Sequence, residues 1–188
     1  NRKSPAVDFK EATIKGQAPD KGLYFPERIP AVDEDLIKRI GNLSNEEIAF
    51  HVIRPYTGNE IPEEKLFRIV SETVNFPMPL VQVNDSIWSL ELFHGPTLAF
   101  KDVGARFMSR CLGYFLKDNE KKVTVLVATS GDTGGAVANG FYLTEGVDVV
   151  ILYPSGKVSP VQEKQLTTLG GNIHALEVKG TFDDCQQI

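Results

Sequence analysis

Lys101 has the surroundings that covalent chemistry by an amine requires. It stands between a strand-like stretch and a run of apolar residues at helical spacing, so it lies at or just before a helix start. A helix N-terminus favours anions, and the preceding Leu98, Ala99 and Phe100 are apolar, so both effects disfavour the ammonium form. A lysine kept as the free amine is the nucleophile that Schiff-base formation needs. The alternative is an ordinary surface lysine near a helix start.

A second segment, residues 128–135, has the composition of an anion receptor. Its sequence is Ala-Thr-Ser-Gly-Asp-Thr-Gly-Gly, and it links a strand pattern to a helix start. Glycines let the backbone approach a ligand, and the hydroxyls and first helix amides can donate to a carboxylate or phosphate. The segment lacks the Gly-Lys-Ser/Thr ending of a P-loop and the Gly-x-Gly-x-x-Gly of a dinucleotide site. A Gly-rich connection without a ligand is the alternative.

Alternating strand and helix patterns must position these two segments. Such alternation is typical of parallel α/β units. The run 123–128 is nearly all apolar or β-branched, which predicts a strand buried on both faces, and a helix is predicted from about 135 to 144. Ser159 and Thr181 are predicted N-caps of two later helices. The predicted strands cover 80–83, 87–93, 123–128, 147–153 and 173–178.

The first part of the chain has a different pattern. Residues 33–75 carry apolar residues at helical spacing, with a capping box at Ser44, and a short strand is predicted over 7–14. We therefore expect an α/β fold in three regions. These are a mostly helical N-terminal region over 1–79, part of a large domain with the lysine helix over 80–122, and a smaller, incomplete α/β domain over 123–188.

Composition excludes several classes of protein. The chain has 188 residues, 41% of them hydrophobic and 24% charged, with a net charge of −5. Lys and Arg form no basic stripe that could bind nucleic acid. No apolar stretch reaches the roughly 18 residues that span a bilayer. Two cysteines, Cys111 and Cys185, exclude a disulfide scaffold and a Cys-rich zinc site, and they favour a cytoplasmic location. His51 and His174 lack ligand spacing, so no metal is expected.

The ends of the sequence suggest a piece of a longer protein. The chain begins with Asn1 instead of Met, and it stops at Ile188, seven residues after the helix cap expected at Thr181. The last strand and helix would then lack neighbours. We therefore expect a truncated chain.

Several motifs together resemble the threonine synthase family. Its members are pyridoxal-phosphate enzymes of fold type II, which is also called the tryptophan-synthase-β type. The match with Lys101 is Glu-Leu-Phe-His-Gly-Pro-Thr-Leu-Ala-Phe-Lys-Asp over 91–102, and Ala-Thr-Ser-Gly-Asp-Thr-Gly over 128–134 is similar to the family's loop. Three further matches occur along the chain in the same order as in the family. They are Gly-Leu-Tyr-Phe-Pro at 22–26, Ser-Pro-Val-Gln-Glu-Lys-Gln at 159–165 and Gly-Thr-Phe-Asp-Asp-Cys-Gln at 180–186.

The resemblance implies roles for several site residues. Lys101 would form the Schiff base with pyridoxal phosphate and then shuttle protons, and Asp132 would lie near the cofactor's 3-hydroxyl group. From its position beside the lysine segment, and not from the resemblance, His94 is a candidate to touch substrate or cofactor, with a histidine that is packed or satisfied within its own turn as the alternative. The substrate carboxylate would be bound by Thr129, Ser130, Gly131 and Thr133. A leaving phosphate needs cationic or hydroxyl partners, and the candidates by residue type and position near helix starts are Ser155, Lys157, Ser159 and Thr181.

The implied reaction is the conversion of O-phosphohomoserine and water to threonine and phosphate, by a lyase of threonine biosynthesis. The residues that cradle the cofactor phosphate and face the pyridine nitrogen lie later in such enzymes, so the chain alone is expected to be inactive. One alternative is another eliminase of the same fold type, such as a serine/threonine dehydratase. A non-catalytic relative that binds a phosphorylated ligand is another, although retention of Lys101 argues against it.

Overall fold

Helices build the first part of the molecule. The computed structural model describes residues 3–117 and 122–188 and falls into two units, Asn1–Asn75 and Phe76–Ile188. The first unit contains a short 3-10 helix at Ile40–Asn42 besides its α-helices. Its α-helices are α1 (Phe9–Lys15), α2 (Glu34–Arg39), α3 (Asn45–Thr57) and α4 (Glu63–Thr73).

The strand predicted over 7–14 is wrong, because these residues form α1. Asp8 caps this helix by accepting a hydrogen bond from the amide of Glu11, and Lys15 pairs with Glu11 one turn away. The capping box predicted at Ser44 is confirmed at the start of α3. These local bonds fix helix starts that an alternating apolar pattern alone does not distinguish from strands.

The second unit contains an antiparallel hairpin and a parallel sheet. The hairpin is β1 (Leu80–Asn84) and β2 (Ile87–Leu90), and the sheet has the order β3-β4-β5. The predicted α/β class with a parallel sheet is confirmed. The remaining elements are α5 (Lys101–Leu116), β3 (Val123–Ala128), α6 (Asp132–Phe141), β4 (Val147–Pro154), α7 (Pro160–Thr167), β5 (Ile173–Val178) and α8 (Phe182–Gln187).

One face of the sheet forms the core of this unit. Right-handed crossovers, the rule for β-α-β connections, put α6 and α7 on the same face, and the two helices contact each other. Phe141, Val149 and Ile151 are fully buried. On the opposite face Leu126 is 73% exposed, so the prediction that β3 is buried on both faces is wrong. β3 pairs only with β4 in the described sheet and is therefore an edge strand there.

Close packing between α5 and α6 sets the position of the lysine helix. A β-carbon on Gly140 would lie 3.0 Å from the backbone carbonyl carbon of Ala105, so any larger residue would force the backbone of α5 to shift by a few tenths of an ångström. Cys111 lies on the buried side of α5, and burial raises the pKa of its thiol to about 12. The thiol is therefore a packing group here and stays protonated at neutral pH.

The division into regions 1–79, 80–122 and 123–188 stays a prediction. Residues 118–121 of the middle region lie outside the described residues. Within residues 3–117 and 122–188, no helix has the length and apolar composition that crossing a membrane requires.

Candidate active site

The segment before α5 is anchored by the residue that follows Lys101. Asp102 is buried, and its carboxylate accepts hydrogen bonds from the amide of Thr97, at 2.9 Å, and from the Thr97 hydroxyl, at 2.5 Å. A β-carbon on Gly95 would lie 2.5 Å from Oδ2 of Asp102, so glycine is required where the segment folds over this carboxylate. Lys101 is thereby held at the first position of α5.

The side chain of Lys101 remains accessible. It is 33% exposed, and its Nζ lies 4.5 Å from the centre of the Phe100 ring. The amine is therefore next to an aromatic face but open on the other side. This combination suits an amine that must reach a small molecule.

The segment 128–135 is organised by a buried hydroxyl. Thr129 is 1% exposed, and its Oγ1 accepts hydrogen bonds from the amides of Gly131, at 3.0 Å, and Gly134, at 2.8 Å. Gly131 has a φ of 142°, a conformation that favours glycine. The segment therefore turns sharply from β3 into α6.

Helix α6 begins at Asp132, three residues before the predicted start near 135. Asp132 and Thr133 thus lie in the first helical turn, where amides have no partner within the helix. The hydroxyl-bearing side chains of Ser130 and Thr133 are on exposed residues. The start of α6 therefore offers amides and hydroxyls that can receive an anion.

Lys101 and Asp132 come together although thirty residues separate them. The Nζ of Lys101 lies 3.9 Å from Oδ2 of Asp132. The Asp132 side chain is 55% exposed, so the ion pair is weak and can give way to a ligand. The other oxygen, Oδ1, accepts a hydrogen bond from the side-chain amide of Gln162 on α7.

The predicted phosphate-binding residues follow the carboxyl ends of β4 and β5. Ser159 caps α7 and donates to Oε1 of Gln162, which links it to Asp132. The Ser155 hydroxyl donates to Oε1 of Glu177, at 2.5 Å. Thr181 caps α8.

Lys157 lies close enough to Asp184 that its charge affects that carboxyl. Hydrogen bonds from the amide and the hydroxyl of Thr181 are the main cause of the lowered pKa of Asp184, and the Lys157 ammonium lowers it further. Lys157 and Thr181 therefore share one neighbourhood. Their role in binding phosphate stays a prediction.

His94 has a partner within its own segment. Its Nε2 lies 2.7 Å from Oε2 of Glu91, and its ring stacks on Phe93 with centroids 4.9 Å apart. These contacts satisfy the histidine locally, which was one of the two possibilities that the sequence left open. The described part of the chain contains no group of three or more His, Cys, Asp or Glu side chains placed to hold a metal ion.

Sequence reasoning missed the contribution of Gln162 to the site. The Ser-Pro-Val-Gln pattern identified Gln162 only as the third residue of a capped helix. Its second partner, Asp132, lies in a distant element, so no local pattern could reveal it. Asp102 lies in the first turn of α5, and its buried carboxylate holds the preceding lysine segment through Thr97.

An accessible amine beside a carboxylate at the start of a helix, where parallel strands end, is an arrangement that suits an enzyme working through a carbonyl cofactor. The chain belongs to the family of pyridoxal-phosphate-dependent enzymes, whose model matches residues 72–188. A second family model, described as "Threonine synthase N terminus", matches residues 1–74. The resemblance to the N-terminal portion of threonine synthase is thereby confirmed.

Individual relatives agree with the family models. The chain is 46% identical over 182 residues to the threonine synthase of Haemophilus influenzae and covers 97% of its own length and 42% of that protein. It resembles the crystal structure of the Escherichia coli threonine synthase with a TM-score of 0.88 and 45% identity, over 96% of this chain and 42% of that one. A pyridoxal-phosphate-bound threonine synthase from Brucella melitensis gives a TM-score of 0.89 and 42% identity, over 98% and 41% of the two chains. The chain thus spans about two-fifths of the length of these relatives.

Proposed function

We propose that this chain is the N-terminal part of a threonine synthase that converts O-phosphohomoserine and water to threonine and phosphate with pyridoxal phosphate as cofactor. The observation that carries the proposal is the meeting of the Lys101 amine with Asp132 at the start of α6. The residues present fit one end of the cofactor, since an accessible primary amine and a carboxylate stand side by side. A cytoplasmic location is part of the same proposal.

When bound, pyridoxal phosphate bonds to a primary amine and withdraws electrons from the α-carbon of an amino acid. Lys101 would hold the cofactor through its amine. Once the amino group of the substrate takes the place of the lysine on the cofactor, the released Nζ would accept a proton from the substrate α-carbon and return it. Asp132 would orient the amine, since its Oδ2 lies 3.9 Å from the Nζ of Lys101. One lysine near neighbouring carbons can serve several such transfers.

The start of α6 binds and orients the substrate carboxylate. The exposed hydroxyls of Ser130 and Thr133 and the first amides of the helix are donors that can bind an anion. Thr129 contributes indirectly, because its buried Oγ1 accepts hydrogen bonds from the amides of Gly131 and Gly134 and so fixes the shape of the turn. The cationic Lys157, with Ser155, Ser159 and Thr181, is proposed to receive the phosphate that leaves the substrate.

The first test maps the lysine. The complete enzyme that contains this sequence is mixed with pyridoxal phosphate, reduced with borohydride and digested, and the labelled peptide is identified by mass spectrometry. We expect one label per chain, on Lys101. Label scattered over exposed lysines such as Lys122, which is 72% exposed, would contradict the proposal.

The second test measures the reaction. We expect release of phosphate from O-phosphohomoserine, with free threonine turned over far more slowly, and Lys101→Ala should lower kcat by about 10³-fold or more. Lys122→Ala is the matched control and should leave kcat unchanged. Threonine deamination without phosphate release would indicate a dehydratase instead.

A further inference from the structure

Gln162 occupies the third position of α7, but its side chain leaves the helix. Its Oε1 accepts a hydrogen bond from the Ser159 hydroxyl at 2.9 Å, and its Nε2 donates to Oδ1 of Asp132. The capping box of α7 and the acid beside Lys101 are therefore joined through one amide group. No other contact in the described chain joins Asp132 to α7 by a hydrogen bond.

The segment 128–135 is shaped to admit this amide. A β-carbon on Gly131 would lie 2.5 Å from Oε1 and 2.6 Å from Cδ of Gln162. Gly131 is buried, so the Gln162 side chain covers the turn between β3 and α6. The missing side chain at Gly131 and the amide of Gln162 are thus complementary in shape.

The chemistry of an amide matters at this point. Nε2 is a neutral donor, so it holds Oδ1 of Asp132 without cancelling the negative charge. The second oxygen, Oδ2, then faces the Nζ of Lys101 at 3.9 Å. A lysine or arginine at position 162 would compete with Lys101 for the same carboxylate, and an alanine would leave the acid free to rotate.

We propose that Gln162 is a positioning residue of the lysine site, which fixes the Asp132 carboxylate toward Lys101 and holds the turn at Gly131 closed. It acts through Asp132 and need not touch substrate. The inference rests on the proposed function for its catalytic consequence. Its structural consequence is that the turn between β3 and α6 is held against α7, and this consequence is independent of that function.

The decisive variant is Gln162→Glu. A glutamate at the third position preserves the Ser-x-x-Glu capping box of α7 but replaces the donor with an acceptor and sets two carboxylates against each other. Gln162→Ala removes both the acceptor for Ser159 and the donor to Asp132. Gln82→Glu places the same added charge on an exposed residue of β1 and is the matched control.

The first readout is amide hydrogen exchange of the complete, cofactor-free enzyme, measured by mass spectrometry. In Gln162→Glu we expect peptides over 129–135 to exchange about tenfold faster, and peptides within α7 to remain within about twofold of the wild type. The second readout is steady-state kinetics of the cofactor-loaded enzyme. We expect kcat to fall about tenfold or more with KM within about threefold, because orientation of the acid affects the chemical step.

The outcomes separate the two proposals. If Gln162→Glu matches the wild type in both readouts, while Gln162→Ala only speeds exchange of α7, Gln162 is a helix cap and the positioning role is overturned. If the wild type takes no label on Lys101 with pyridoxal phosphate, the proposed function fails. The exchange of 129–135 in the cofactor-free protein then still decides whether Gln162 holds the turn.

Discussion

Two segments of the second unit bring the amine and the acid together, and they are stabilised differently. The segment 94–101 is held by its immediate neighbour in sequence, since Asp102 accepts two hydrogen bonds from Thr97. The segment 128–135 has a local anchor in Thr129, but its acid also depends on Gln162, thirty residues away. The position of the nucleophile is therefore specified locally, whereas the orientation of its partner depends on tertiary structure.

The difference suits the chemistry proposed for each group. An amine that must change covalent partners benefits from a backbone that does not move, and a buried carboxylate provides that. A carboxylate that must adapt to bound ligand can be held by a partly exposed amide, which is easier to displace. The variants below weaken one segment at a time, so that the two kinds of anchoring can be compared.

The largest effect is expected from Asp102→Ala. The change removes the acceptor for the Thr97 amide and hydroxyl and leaves a cavity under Gly95. Partly buried donors that lose their acceptor are costly, and the buried carboxylate itself is lost, so we expect the free energy of unfolding of the 188-residue chain to fall by about 3 kcal/mol. Urea denaturation measures it.

Two further variants check the origin of that loss. Asp102→Asn keeps the shape and one acceptor oxygen, so its effect should be intermediate. Asp35→Ala on α2 removes a carboxylate that is 81% exposed and should change stability by less than about 0.5 kcal/mol. Equal midpoints for Asp102→Ala and wild type would mean that Asp102 does not anchor the lysine segment.

Thr129→Val is the corresponding change in the other segment. Valine keeps the branched shape that contacts Gly134 but offers no acceptor to the amides of Gly131 and Gly134. We expect a loss of about 2 kcal/mol in urea denaturation, because two buried amides lose their partner. Thr129→Ser should restore most of it, and Thr124→Val, at an exposed position of β3, is the control.

Local exchange data sharpen the comparison between these two variants. Thr129→Val should speed amide exchange over 129–135 and leave 94–101 protected, and Asp102→Ala should do the reverse. If both variants speed both segments equally, the two are one cooperative unit and the distinction between them is wrong.

Gln165→Ala should have a smaller effect, because this side chain only bridges the segments. Its Nε2 donates to the carbonyl oxygen of Thr97 at 3.4 Å, and its Oε1 lies 2.8 Å from where a β-carbon on Gly135 would stand. A long, partly exposed bond of this kind contributes about 0.5 kcal/mol. The urea midpoint should therefore move only slightly, and a loss as large as that of Thr129→Val would contradict the assignment of Thr129 as the main anchor.

Local features of this fold could be predicted from the sequence, and features that depend on distant residues could not. The helix caps at Ser44, Ser159 and Thr181 were predicted because each cap lies within four residues of its partner. The sequence predicts the start of α6 three residues too late, because the glycines at 134 and 135 obscure a helix that begins right after Gly131. The exposure of Leu126 was missed because apolar composition does not tell which strand face is covered.

The candidate site shows the same division. Lys101 and the residues of 128–134 were predicted from their types and from the family resemblance, and their placement on helix starts follows local rules. The hydrogen bond between Gln162 and Asp132 requires α6 and α7 to pack side by side on the sheet. Only the tertiary structure supplies that contact.

The smallest effect concerns a carboxylate with the same bonding as Asp102 but without its burial. Asp184 accepts hydrogen bonds from the Thr181 amide at 2.6 Å and hydroxyl at 2.8 Å, and these bonds, with a smaller contribution from Lys157, hold its pKa below the ordinary value of 3.8. A carboxyl whose pKa is lower in the folded state adds stability above pH 3.8, and this is lost as the pH falls through the folded value. The wild type should therefore lose its advantage over Asp184→Asn in urea denaturation as the pH falls from about 5 to below 3.8. Parallel stability curves for the two proteins over that range would mean that the exposed pair adds nothing, and that burial alone gives the Asp102 pair its strength.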